Sequence, residues 1–119
     1  TGVPKDDSLA VEWYIKAAEQ GYADAQANLG FMYKTGLGVS KDEACAVEWY
    51  KKAAEQEHAQ AQFNLGIMYA NGQGLPKDDS QAVEYYMKAA LQGLPHAQCN
   101  LGVMYAKGRG VPKNAVRAK

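Results

Sequence analysis

The feature that most constrains this chain is that it repeats itself. Asn28-Leu29-Gly30-Phe31-Met32-Tyr33 returns as Asn64-Leu65-Gly66-Ile67-Met68-Tyr69 and as Asn100-Leu101-Gly102-Val103-Met104-Tyr105, a step of 36 residues each time. Ala10-Val11-Glu12-Trp13-Tyr14 returns as Ala46-Val47-Glu48-Trp49-Tyr50 and as Ala82-Val83-Glu84-Tyr85-Tyr86 at the same step. With residues 2–37, 38–73 and 74–109 laid over one another, 19 of 36 columns are identical in all three units. A period of this length marks a supersecondary unit that cannot bury its apolar face alone and stacks on copies of itself. Residues 1–119 therefore read as one array of three units with a partial unit at 110–119. The chain begins within one unit and stops as another begins, so a fragment of a longer array is expected.

Each unit carries two helical patterns. The chain holds 20 Ala but only two Ile and two Thr, a balance that favours helix over strand. In the first pattern Ala10, Val11, Trp13, Tyr14, Ala17 and Ala18 recur at spacings of three and four and make one apolar stripe. Asp6, Asp42 and Asp78 stand where an N-cap belongs. Gly21 and Gly93 end the pattern; Glu57 occupies that column in the second unit, so a less regular turn is expected there. The second pattern starts near Ala23, uses Ala25, Leu29, Met32 and Tyr33 as its stripe, and closes at Gly36, Gly72 and Gly108. Gly30, Gly66 and Gly102 fall mid-helix, where each costs about 0.5–1 kcal/mol relative to Ala. Close packing against a neighbouring helix, or against its Trp13, Trp49 or Tyr85 ring, is the expected reason. Helices of about 12–15 residues with short connections pack as antiparallel neighbours. The expected fold is an all-α solenoid of about six helices plus a short C-terminal stub.

Composition narrows the function classes. Thirteen basic side chains balance thirteen acidic ones, so the net charge is zero and no basic stripe marks a nucleic-acid partner. The longest apolar run, Leu65–Ala70, is far short of the roughly 20 residues a membrane span needs. No basic-then-apolar leader opens the sequence. The Gly36-Leu37-Gly38 type of loop follows no strand and lacks the third glycine of a dinucleotide fingerprint. His96 and Cys99 could share a helix face, but His58 and Cys45 lie in other columns, too few ligands for zinc. A Cys45–Cys99 bridge is not expected, because stacked units hold those columns apart. Ser8 and Ser80 have no partner histidine, and paired acids such as Asp6-Asp7 are accounted for by capping. No catalytic residue, cofactor or metal is expected.

The unit A-x-x-N-L-G-x-M-Y-x-x-G-x-G-V-x-K-D followed by A-V-E-W-Y-x-K-A-A-E-Q-G resembles the Sel1-like repeat (SLR), a longer cousin of the tetratricopeptide repeat. The resemblance covers essentially the whole chain. It implies a right-handed α/α superhelix whose concave surface is lined by the N-L-G-x-M-Y helix, with the W-Y-x-K-A-A helix outside. It also implies a non-enzymatic adaptor that holds other proteins, as in bacterial signalling, secretion and virulence.

Columns that differ between units are where a ligand could be told apart. With Leu29 and Tyr33 facing the core, the groove positions of the first unit are Asp24, Ala27, Phe31, Lys34 and Thr35. In the second they are Gln60, Phe63, Ile67, Ala70 and Asn71, and in the third His96, Cys99, Val103, Ala106 and Lys107. Asn28, Asn64 and Asn100 are invariant, polar and mid-helix. They either grip the backbone of an extended peptide or bond the neighbouring interhelical loop. Phe31, Phe63, Ile67 and Val103 form an apolar strip edged by Asp24, Lys34 and Lys107, suited to a partner segment. The expected function is a protein-interaction module with a protein or peptide partner. The alternatives are a structural spacer between other domains, or a regulatory array attached to an enzyme. No polar capping helix stands at either end, so end-to-end self-association is also expected. The compartment stays open between cytoplasmic and exported.

Overall fold

The computed structural model describes residues 6–111. They form six α-helices and no strand: α1 (Asp7–Glu19), α2 (Ala23–Thr35), α3 (Glu43–Glu55), α4 (Ala59–Asn71), α5 (Asp79–Leu91) and α6 (Pro95–Lys107). Each is 13 residues long, within the expected range. The tail of the partial unit, 112–119, lies outside the described residues, as do Pro4 and Pro112.

The helix starts follow from local chemistry. The Asp6, Asp42 and Asp78 carboxylates accept the N–H groups of Leu9, Cys45 and Gln81 at 3.0, 3.0 and 3.1 Å. Each satisfies a donor that the first helical turn would otherwise leave open. Pro95 opens α6 at its first position, where a missing N–H costs nothing. Gly36, Gly72 and Gly108 close α2, α4 and α6 in the left-handed conformation.

The turn between the helices of the second unit departs from expectation. Glu57 takes the same left-handed conformation as Gly21 and Gly93, at φ 65° against 96° and 91°. The turn is regular: Glu57 N–H donates to Ala54 O at 3.0 Å and His58 N–H to Ala53 O at 3.2 Å. Gly21 and Tyr22 make the equivalent bonds at 3.0 and 3.3 Å. The stacked helices impose the turn, and the Glu57 carboxylate accepts Gln62 Nε2 at 3.3 Å in return.

The mid-helix glycines do mark close approach, but the ring is one residue on from the expected aromatic. A Cβ on Gly30 would lie 2.8 Å from Tyr50 Cδ1, and one on Gly66 would lie 2.8 Å from Tyr86 Cδ1. Tyr50 and Tyr86 are 0% and 4% exposed and seal α3 onto α2 and α5 onto α4. Trp49 instead packs beside the cluster of Val11, Ala18, Ala25, Leu29 and Met32. Tyr85 stacks on Tyr69 at 5.8 Å between ring centroids. Apolar clusters of this kind recur along the stack, which measures 53 × 26 × 24 Å. The fold is a helical solenoid.

An amide network, buried at Gln26 and Gln62, runs through the stack as well. Gln26, Gln62 and Gln98 donate to Ala18 O, Ala54 O and Ala90 O at 3.2, 3.3 and 3.1 Å, pinning the second helix of each unit to the first. Gln56 Nε2 donates to Gln26 Oε1 at 2.9 Å and Gln92 Nε2 to Gln62 Oε1 at 2.8 Å, which joins one unit to the next. Apolar periodicity says nothing of these residues. Their identity in every unit was the available signal.

Candidate functional site

The helices α2, α4 and α6 lie side by side, and the gaps between them form two clefts. The first, about 450 Å³, lies between α2 and α4 and is lined by Asp24, Ala27, Asn28, Phe31, His58, Gln60 and Asn64. The second, about 320 Å³, lies between α4 and α6, where Ile67, Ala70 and Asn71 face Asn100, Val103 and Met104. Tyr86 and Arg109 complete it.

Of the residues expected in the groove, Asp24, Ala27, Asn28, Phe31, Gln60 and Asn64 meet in the first cleft. Ile67, Ala70, Asn71, Asn100 and Val103 meet in the second. Ala27 and Ala70 are buried and form floor rather than wall. Phe63 is half-buried, its ring 5.9 Å from Tyr86 and 6.2 Å from His96. Lys34 is half-buried, while Thr35, His96, Cys99, Ala106 and Lys107 are exposed outside the two clefts. The Thr35 hydroxyl is engaged with Phe31 O at 2.8 Å.

Asn64 bonds a tyrosine rather than an interhelical loop. Asn64 Nδ2 donates to the Tyr50 hydroxyl at 3.3 Å, and Asn64 Oδ1 accepts Gln60 Nε2 at 3.3 Å. Asn100 and Tyr86 meet in the second cleft, where Asn100 pulls down a phenol that burial raises. In both cases the tyrosine is that of the same unit, the ring that packs on the preceding unit's glycine. Burial pushes the Tyr50 phenol up to about 12, against the pull of the Asn64 bond. The phenol is therefore a fixed neutral group with no proton to give at ordinary pH.

Sequence reasoning passed over His58 as a cleft residue. It caps α4: Nδ1 accepts Ala61 N–H at 3.1 Å. An Nδ1 that accepts leaves the proton on Nε2, which donates to Asp24 Oδ1 at 2.9 Å. The bond spans from the second unit to the first and sets the acidic end of the first cleft. The corresponding residues Tyr22 and Leu94 have no such nitrogen, and their helices have no side-chain cap. Among the described residues no three His, Cys, Asp or Glu side chains converge as metal ligands, and no helix is long and apolar enough to cross a membrane.

The Sel1 repeat family model matches residues 1–22, 23–58, 59–94 and 95–119, the whole chain. The chain belongs to the Sel1 repeat family. The two full Sel1 matches, 23–58 and 59–94, pair α2 with α3 and α4 with α5, the pairs that share the most extensive interfaces. The fold is similar to that of a Sel1 repeat protein from Oxalobacter formigenes, at 46% identity and TM-score 0.89 over 94% of this chain and 46% of that one. It is equally similar to a protective antigen of uropathogenic Escherichia coli strains with an SLR fold, at 46% identity and TM-score 0.93 over 95% of this chain and 24% of that one. Helicobacter pylori cysteine rich protein B follows at 30% identity and TM-score 0.71, over 76% and 68%. The chain thus spans about half the length of the first of these proteins and about a quarter of the second. A search of curated proteins finds no significant match. Sel1-like repeat proteins generally mediate protein–protein interactions.

Proposed function

We propose that this array is a non-enzymatic adaptor that holds an extended peptide or partner segment across α2, α4 and α6. The observation that carries the reading is the coincidence of variable columns with concavity. Asp24, Phe31, Gln60, Ile67 and Val103, from columns that differ between units, line the two clefts beside the invariant Asn28, Asn64 and Asn100. The chain as a whole carries no net charge to steer a partner, because acidic and basic groups balance. Affinity then rests on apolar anchors, Phe31, Ile67 and Val103, with Asn28 and Gln60 offering amides to a peptide backbone.

The test is selection of binders from a peptide display library on the folded chain, then titration of a selected peptide against variants. Phe31→Ala and Val103→Ala should each weaken binding about tenfold, the scale of a modest hot spot. Their melting temperatures should barely move, since both side chains are exposed, at 49% and 42%. Leu9→Ala, outside the two clefts, should bind normally. Peptides whose binding ignores Phe31 and Val103 would place recognition elsewhere and end the proposal.

A further inference from the structure

We infer that the first cleft takes a basic side chain, so that a segment held in the proposed groove carries an arginine or lysine there; this rests on the groove reading and adds the partner's chemistry to it. The cleft lies between α2 and α4, with walls from two adjacent units. Asp24 is the one carboxylate among its lining residues, and no lysine or arginine joins it. Its side chain is 93% exposed, so the charge is open to a ligand. Gln60 occupies the same column with a unit on either side and is exposed as well, so this column is open within the stack.

The hydrogen-bonding groups left over in the cleft are mostly acceptors. His58 Nδ1 accepts Ala61 N–H and Nε2 donates to Asp24 Oδ1, so both ring nitrogens are used. Gln60 Nε2 donates to Asn64 Oδ1, and Asn64 Nδ2 donates to the Tyr50 hydroxyl. The side-chain donors of His58, Gln60 and Asn64 are thus engaged within the protein. Asp24 Oδ2 and the Gln60 carbonyl have no partner among the described residues, and the Asn28 amide is exposed beside them. Unused acceptors around a carboxylate suit a ligand that brings N–H donors and positive charge. The His58 bond also fixes where that carboxylate sits, so less freedom is lost when a cation meets it.

Apolar surface for the stem is present too. Phe31 stands two turns after Asp24 on α2, about 10 Å along the axis, and its ring is 49% exposed. A lysine or arginine suits that shape: its apolar stem lies over Ala27 towards Phe31 while its head stays wet beside Asp24. The second cleft has a different chemistry. Its one basic residue, Arg109, is held by Asp79 through Nε at 3.4 Å and Nη2 at 3.2 Å, and Ile67 and Val103 give apolar walls. The only basic side chain on α2 and α4 is Lys34, which lies outside both clefts near Glu43. The held segment is therefore asymmetric, basic at the first cleft and aliphatic at the second, which sets its direction along the stack. A chain of zero net charge can still select in this way, since local charge governs specificity more than affinity.

The test is the sequence of peptides selected from a random display library on the whole chain, followed by titration of one of them. Selected peptides should share an arginine or lysine. Replacing it with glutamine should weaken binding about two- to fivefold, the scale of an exposed ion pair, and the loss should shrink in high salt. Asp24→Asn removes the charge but keeps an oxygen for His58, and on that variant the same replacement should change nothing. Selection on Asp24→Lys, with helical circular dichroism intact, should exchange the shared basic residue for Asp or Glu. Peptides that need Phe31 and Val103 but share no basic residue, or that bind Asp24→Asn as tightly as wild type, would overturn this inference and leave the groove reading standing. Peptides that ignore both Phe31 and Val103 would end the groove reading and this inference with it.

Discussion

At the scale of single residues, stability turns on where a ring meets bare backbone. The three mid-helix glycines are identical in sequence, yet their surroundings differ. Gly30→Ala and Gly66→Ala drive a methyl into Tyr50 and Tyr86 at 2.8 Å and should each cost about 1–3 kcal/mol. Gly102→Ala meets nothing within 4 Å among the described residues and should gain about 0.5–1 kcal/mol of helix propensity. Urea unfolding of the three variants measures the split; equal effects would contradict the packing of Tyr50 on Gly30 and of Tyr86 on Gly66. Tyr50 gives a second handle. Its phenol is raised from 10.0 to about 12, so the folded chain keeps a proton that the unfolded chain loses. That stabilisation is complete below pH 10 and disappears as pH rises to 12, a loss of up to about 3 kcal/mol. Alkaline unfolding should show the fall, and Tyr50→Phe should flatten it. The N-caps were legible in the sequence because capping chemistry is local. The choice of Tyr50 over Trp49 was not, because a stripe two aromatics wide does not say which ring meets which neighbour.

At the scale of elements, the helices are held by more than their apolar stripes. Gln62 donates to Ala54 O on α3 and accepts from Gln92 beyond α5, at 0% exposure. Gln62→Leu fills a similar volume but takes one of two donors from Ala54 O, which keeps the Glu57 N–H, and the acceptor from the exposed Gln92 amide, at about 1 kcal/mol. Chemical denaturation should show that cost, and Gln98→Leu should lose less, since Gln98 is exposed. Helix number, length and order were readable from the 36-residue period. The glutamine network was not read, because hydrophobic patterning treats an invariant polar column as silence. The asparagines were read as either ligand-facing or loop-bracing. The observed bond from Asn64 to Tyr50 is a third arrangement, set by how deeply the tyrosine enters between helices.

At the scale of the whole molecule, stacking one unit on the next builds an elongated body with a repeated core and a varied face. Most of the residues picked by helical geometry line the two clefts, while Lys34, Thr35, Phe63, His96, Cys99 and Lys107 lie outside them. His58 escaped notice because its value depends on Asp24, 34 residues away, which only the stack brings within 2.9 Å. The proposed recognition surface is the α2, α4 and α6 face, and chemical-shift mapping of the isotopically labelled chain with a library-selected peptide reads it residue by residue. Shifts should concentrate at Asn28, Phe31, Asn64, Ile67, Asn100 and Val103, with Glu12, Glu48 and Glu84 on the exposed sides of α1, α3 and α5 unmoved. Shifts centred on those glutamates, with the clefts silent, would contradict it.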